Sequence, residues 1–134
     1  MLEDKSFDWS FSGLKTAVLR AVEGPKSDVS TPQLAAEVQE AIVEVLVEKT
    51  LLAVKKFKPK SLLLAGGVAA NRRLKEKFRE EIGKRELKID FFVPPPGLCT
   101  DNAAYIASYA YFVNSPGKWE ELDVNPELTI VGQI

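Results

Sequence analysis

Three stretches of this 134-residue chain gather residues that handle ligands. In AGGVAANRRL, Gly66 and Gly67 stand where an apolar run gives way to a helical pattern, and Asn71 follows four positions later. A glycine pair lets a ligand approach the backbone closely, and the free N–H groups and positive dipole end of the next helix attract phosphate. The same pair also serves a plain strand-to-helix turn, and Asn71 equally suits a helix cap or a hydrogen bond to a ribose or base edge. In PPPGLCTDNAAYIA, Asp101 and Asn102 follow a loop stiffened by three prolines. Asp101 has the chemistry of a metal ligand and also that of an ordinary N-cap. Cys99 is open to two readings, a further metal ligand or a small buried thiol. In FDWSFSGLKTAV, Ser10, Ser12 and Lys15 surround Gly13 and offer hydrogen bonds to a ligand or to a helix start.

The elements that must position these groups follow from apolar spacing and from glycine and proline punctuation. Leu14, Val18 and Val22 predict a helix over 12–23, ended by Gly24-Pro25. Thr31 and Pro32 read as the N-cap and first position of a longer helix that runs to about residue 57. On it Leu34, Val38, Ala41, Ile42, Val45 and Leu52 line one face, and Glu37, Glu40, Glu44 and Glu48 line the other. SLLLAGG at 61–67 has the short apolar form of a buried parallel strand. Leu74, Phe78 and Ile82 define a helix beginning near Ala69 or Asn71 and reaching Gly83, and KIDFFV at 88–93 reads as a second strand. Thr100 or Asp101 then caps a last helix over 101–113.

The fold class is therefore α/β, with a helix-strand-helix-strand-helix core over 31–113. Residues 1–30 are a linker region holding the first motif, and 114–134 are an irregular tail, all within a single domain. Two parallel strands alone leave unpaired edges, so either further strands lie near 4–11 and 128–132 or another chain completes the sheet.

Composition narrows the chemistry. There is no histidine, the usual general base and the commonest metal ligand, which argues against a self-contained zinc hydrolase or Ser-His-Asp enzyme. A lone cysteine forms no internal disulfide, and the opening residues lack the apolar stretch of a secretory signal, so a cytoplasmic setting without a membrane span is expected. The formal net charge is −1, yet residues 55–88 carry 12 basic and 4 acidic side chains. Such a block attracts nucleic-acid phosphates, and it also suits a solvated helix face. Its candidates for RNA contact are Lys55, Lys56, Lys58, Arg72, Arg73, Lys75, Lys77 and Arg79.

Taken together, SFSGLKTAV at 10–18, LAGGVAANRRL at 64–74 and CTDNAAYIA at 99–107 closely resemble the carboxyl-terminal part of the bacterial TsaD family. The resemblance covers nearly the whole chain and implies part of the second domain of an actin-like, sugar-kinase-like fold (ASKHA, ribonuclease H-like), with the amino-terminal domain absent. Members of that family transfer threonylcarbamoyl from threonylcarbamoyl-AMP to the N6 amine of the adenosine beside the anticodon, in tRNAs reading A-starting codons. By the same resemblance Gly66, Gly67 and Asn71 bind the adenine nucleotide, Asp101 is a ligand of a divalent metal, iron or zinc, and Ser12, Gly13 and Lys15 line the cleft. The implied partners are tRNA, the amino-terminal half of the enzyme, and the bacterial proteins TsaB and TsaE. The family's remaining metal ligands are histidines, which this chain lacks. The expectation is thus a fragment that neither transfers the group nor holds metal tightly on its own. The rival expectation is a non-catalytic nucleotide-binding or scaffold module of the same tRNA-modification complex. The family's older label, a metalloprotease, finds no nucleophile-base pair here.

Overall fold

The computed structural model describes residues 6–24, 30–114, 117–118, 120 and 123. Helix α1 (Ser12–Glu23) has the bounds that its apolar spacing predicts, and the Gly24 N–H closes it on the Arg20 carbonyl. It lies within the stretch expected as a linker. Helix α2 (Thr31–Phe57) starts one residue earlier than expected, because Ser30 rather than Thr31 is the cap. The Ser30 hydroxyl oxygen accepts from the Gln33 N–H while the Gln33 side chain accepts from the Ser30 N–H, a reciprocal capping box that satisfies two backbone donors. At its far end Lys58 takes a left-handed conformation, φ 49°, and donates its N–H to the Val54 carbonyl, so the chain turns sharply into the first strand.

Strands β1 (Ser61–Leu63) and β2 (Asp90–Phe92) pair in parallel, Ser61 with Asp90, Leu62 with Phe91 and Leu63 with Phe92. One further hydrogen bond at each end, Asp90 N–H to the Lys60 carbonyl and Leu64 N–H to the Phe92 carbonyl, completes the ladder. Both strands are shorter than their apolar runs because neither has a second neighbour to pair with among the described residues. Of the further strands considered, residues 6–11 form none; 4–5 and 128–132 lie outside the described residues. Helix α3 (Arg72–Lys84) links the two strands.

The core forms where α2, α3 and one sheet face meet. Val43, Val47, Leu51 and Val54 of α2 are buried with Leu74 and Phe78 of α3, and Leu62 and Phe91 pack against them from the sheet. Phe78 and Phe91 stack at 5.4 Å between ring centroids. The apolar face read from the spacing of α2 is thus not the one that meets the sheet. Leu34, Val38, Ala41, Ile42, Val45 and Leu52 are only half-buried, on the other side of the helix. The helix is apolar on two sides, and periodicity alone does not say which one meets the sheet. The opposite sheet face stays open, with Leu63 70% and Phe92 56% exposed.

The chain divides into two compact units after Asp101. Helix α4 (Ala103–Val113) belongs to the second and is capped by Asn102, whose side-chain oxygen accepts from the Ala104 and Tyr105 N–H groups. The expected cap at Thr100 or Asp101 is corrected accordingly, since Asn102 sits one residue closer in the extended conformation that a cap requires. The irregular tail expected from 114 lies almost wholly outside the described residues. Among those described, no helix is long and apolar enough to cross a membrane.

Candidate functional site

The turn between β1 and α3 is built around Gly66. Its φ of 83° with ψ of 175° is a conformation open essentially to glycine alone, so this position cannot carry a side chain without strain. Gly67 has no such requirement, yet a Cβ there would meet no atom within 4 Å, leaving bare backbone with room in front of it. A single 3₁₀ turn (Gly67–Ala70) follows, held by the Ala69 N–H on the Gly66 carbonyl at 3.0 Å and anchored by the fully buried Ala69.

Asn71 then spends both ends of its side chain on structure. Its carbonyl oxygen accepts from the Leu74 N–H at 3.0 Å, capping α3, and its amide nitrogen donates to the Gln39 side-chain oxygen on α2 at 3.1 Å. Beside it a cavity of about 470 Å³ opens, walled by Val38, Ile42, Leu46, Val68 and Leu74, with Asn71 and Gln39 as its polar groups. That volume falls in the usual range of small-molecule pockets, about 300–1,000 Å³, and an apolar wall with few polar groups is their usual lining.

The first motif reaches the same place from the other side. Phe11, just before α1, and Leu14, Lys15 and Val18 of α1 border a second cavity of about 230 Å³ whose remaining wall is again Val38 and Ile42. Two stretches separated by some fifty residues therefore flank one strip of α2, the half-buried side that the core leaves unused. Ser12 and Ser10 share a hydrogen bond between their hydroxyls at 3.0 Å, and Ser12, Gly13 and Lys15 are exposed. The sequence motifs alone assign Val38, Ile42 and Gln39 no place in this site. Val38 and Ile42 are signalled by the second apolar side of α2, whereas Gln39 carries no such signal.

Asp101 is exposed in the loop before α4. Cys99 is buried, and its thiol donates to the Pro94 and Pro95 carbonyls at 3.6 and 3.5 Å. Among the described residues no group of three or more His, Cys, Asp or Glu side chains could hold a metal ion. A single carboxylate does not fit a divalent-ion site, which takes four or more donors.

The basic block is partly neutralised from within. Arg73 grips Glu40 of α2 with two hydrogen bonds, at 2.7 and 2.8 Å, and reaches Glu80 at 3.1 Å; Lys77 approaches Glu40 at 3.6 Å. Arg85 binds Glu48 and Glu81, and Arg72 pairs with Glu76 at 2.7 Å. The hydrogen bond from Arg73 holds the Glu40 carboxyl below its ordinary range, and Glu40 in turn keeps the Arg73 guanidinium more firmly protonated. Three of the eight expected RNA contacts, Arg72, Arg73 and Lys77, are thus engaged in ion pairs.

Residues 2–108 match the family model described as TsaD, tRNA N6-adenosine threonylcarbamoyltransferase. Curated relatives carry the same description. The protein of Syntrophus aciditrophicus is 49% identical over 124 residues, covering 90% of this chain and 36% of the relative. That of Bacillus cereus is 43% identical over 134 residues, covering 96% and 39%. That of Desulfitobacterium hafniense is 50% identical over 115 residues, covering 84% and 33%. The chain thus spans between 33% and 39% of the length of these relatives.

Proposed function

Because the chain belongs to the TsaD family of tRNA N6-adenosine threonylcarbamoyltransferases, we propose that it is the carboxyl-terminal portion of such an enzyme, part of the second domain of an actin-like fold. Its share of the work is one wall of the nucleotide site. The observation that supports this reading most is the strip of α2 at Val38 and Ile42, where the cavity beside Asn71 and the cavity beside Lys15 share a wall. An apolar cavity of this kind takes a flat base, the open backbone at Gly67 admits the sugar-phosphate side, and the exposed Lys15 supplies positive charge nearby.

Asp101 is the one carboxylate this chain offers to the family's metal, which would act on donor oxygens as a template and Lewis acid. The remaining ligands, and the opposite wall of the cleft, come from the portion of a family member that this chain does not contain. Two tests follow. Mixing the chain with that portion is expected to restore threonylcarbamoyl transfer to tRNA, with neither piece active alone. Stable association without transfer would instead favour a scaffold module.

A further inference from the structure

At the pole where both strands begin, lysines collect without carboxylate partners. Lys55 and Lys58 end α2, Lys60 precedes β1 and Lys88 precedes β2; all four are exposed, and none makes an ion pair among the described residues. Along α3 and at its C-cap the balance differs, because Arg72, Arg73, Lys77, Lys84 and Arg85 each hold a glutamate, and only Lys75 and Arg79 make no ion pair among the described residues. Lys56 is engaged differently, with its ammonium over the Phe7 and Phe57 rings at 4.9 and 5.3 Å. The nearest acids in sequence, Glu86 and Asp90, are two against four. The carboxyl end of α2 adds only about half a negative charge.

Lys55, Lys58 and Lys88 rim one cavity of about 290 Å³ whose floor is Val54, Leu87 and Ile89. A cationic rim over an apolar floor suits a sugar-phosphate strand, since phosphates meet the ammonium groups while ribose carbons cover the floor. It lies at the amino ends of the strands, whereas the glycine turn lies at the carboxyl end of β1. We propose that this pole binds the phosphate backbone of tRNA through Lys55, Lys58, Lys60 and Lys88. The choice of tRNA rests on the function proposed above. The surface is separate from the nucleotide site, so each fails on its own test.

The experiment titrates labelled tRNA with the full 134-residue chain across a salt series. It compares the wild type with the combined variant Lys55→Gln, Lys58→Gly, Lys60→Gln and Lys88→Gln. Folding is protected, because all four side chains are exposed and glycine relieves the left-handed backbone at position 58. Four lost phosphate contacts reduce the slope of log affinity against log salt by about 3, which shrinks the wild type's advantage roughly 60-fold between about 50 and 200 mM salt. The pair Lys75→Gln and Arg79→Gln, on α3, is expected to leave the slope unchanged. An unaltered slope in the fourfold variant, a wild type that does not bind tRNA, or tighter binding of polyglutamate than of tRNA would each overturn the proposal.

Discussion

Replacing Asn71 in two ways separates its structural duty from its proposed duty toward nucleotide. Asn71→Ala deletes the cap on α3, about 1 kcal/mol, and the exposed hydrogen bond to Gln39, about 0.5 kcal/mol. A loss of about 1.5 kcal/mol lowers the melting temperature of a unit of this size by about 6–12 °C. Asn71→Asp keeps an oxygen in the cap, where aspartate is as good as asparagine, and it also favours the positive end of the helix. Its stability should stay within about 0.5 kcal/mol of wild type, because only the Gln39 contact changes. Nucleotide binding should behave in the opposite way, since the aspartate replaces an amide donor with a negative charge at the pocket wall. Thermal unfolding of the chain, and titration of the reassembled enzyme with an adenine nucleotide, read the two effects separately. If Asn71→Asp destabilises as much as Asn71→Ala, the cap is not what the residue supplies. If Asn71→Asp binds nucleotide like wild type, Asn71 is no part of the pocket.

The glycine pair offers a parallel contrast: Gly66→Ala should cost about 1–3 kcal/mol in urea unfolding through its positive φ. Gly67→Ala should fold normally, and a selective loss of nucleotide affinity in it would mark the backbone a ligand approaches. For pH, the Glu40 carboxyl is held low by Arg73, so this pair stabilises the fold above the ordinary carboxylate pKa of about 4.5. That contribution is lost as pH falls through the lowered value, and Glu40→Gln should flatten this part of an acid-unfolding profile; an unchanged profile would contradict the assignment. Chelator-free purification of the chain should yield no stoichiometric metal, measured by elemental analysis, whereas tight metal at one per chain would refute the incomplete donor set.

The parts of this architecture that local chemistry dictates were readable in advance. Gly24 ends α1, Pro59 follows the end of α2, and Gly66-Gly67 marks the turn. The α2 cap was also present as Ser30-x-x-Gln33, a capping-box pattern masked by the more conspicuous Thr31-Pro32. What depends on the crossing of elements was not readable. The ion pairs Arg73–Glu40 and Arg85–Glu48 join residues 33 and 37 apart, and without them the basic block looks freer than it is. The same holds for the cavity beside Asn71, whose walls come from α2, the 3₁₀ turn and α3. Asp101 was legible as a carboxylate in the loop that follows the second strand.

Reassembly decides whether this chain is one part of a threonylcarbamoyltransferase. The purified chain is mixed with the amino-terminal portion of a family member, and formation of threonylcarbamoyladenosine in tRNA is measured for each piece and for the mixture. Modification only in the mixture, abolished by Asp101→Asn, is the predicted result. Modification by this chain alone, or a stable mixture that never modifies tRNA, would contradict the proposed function.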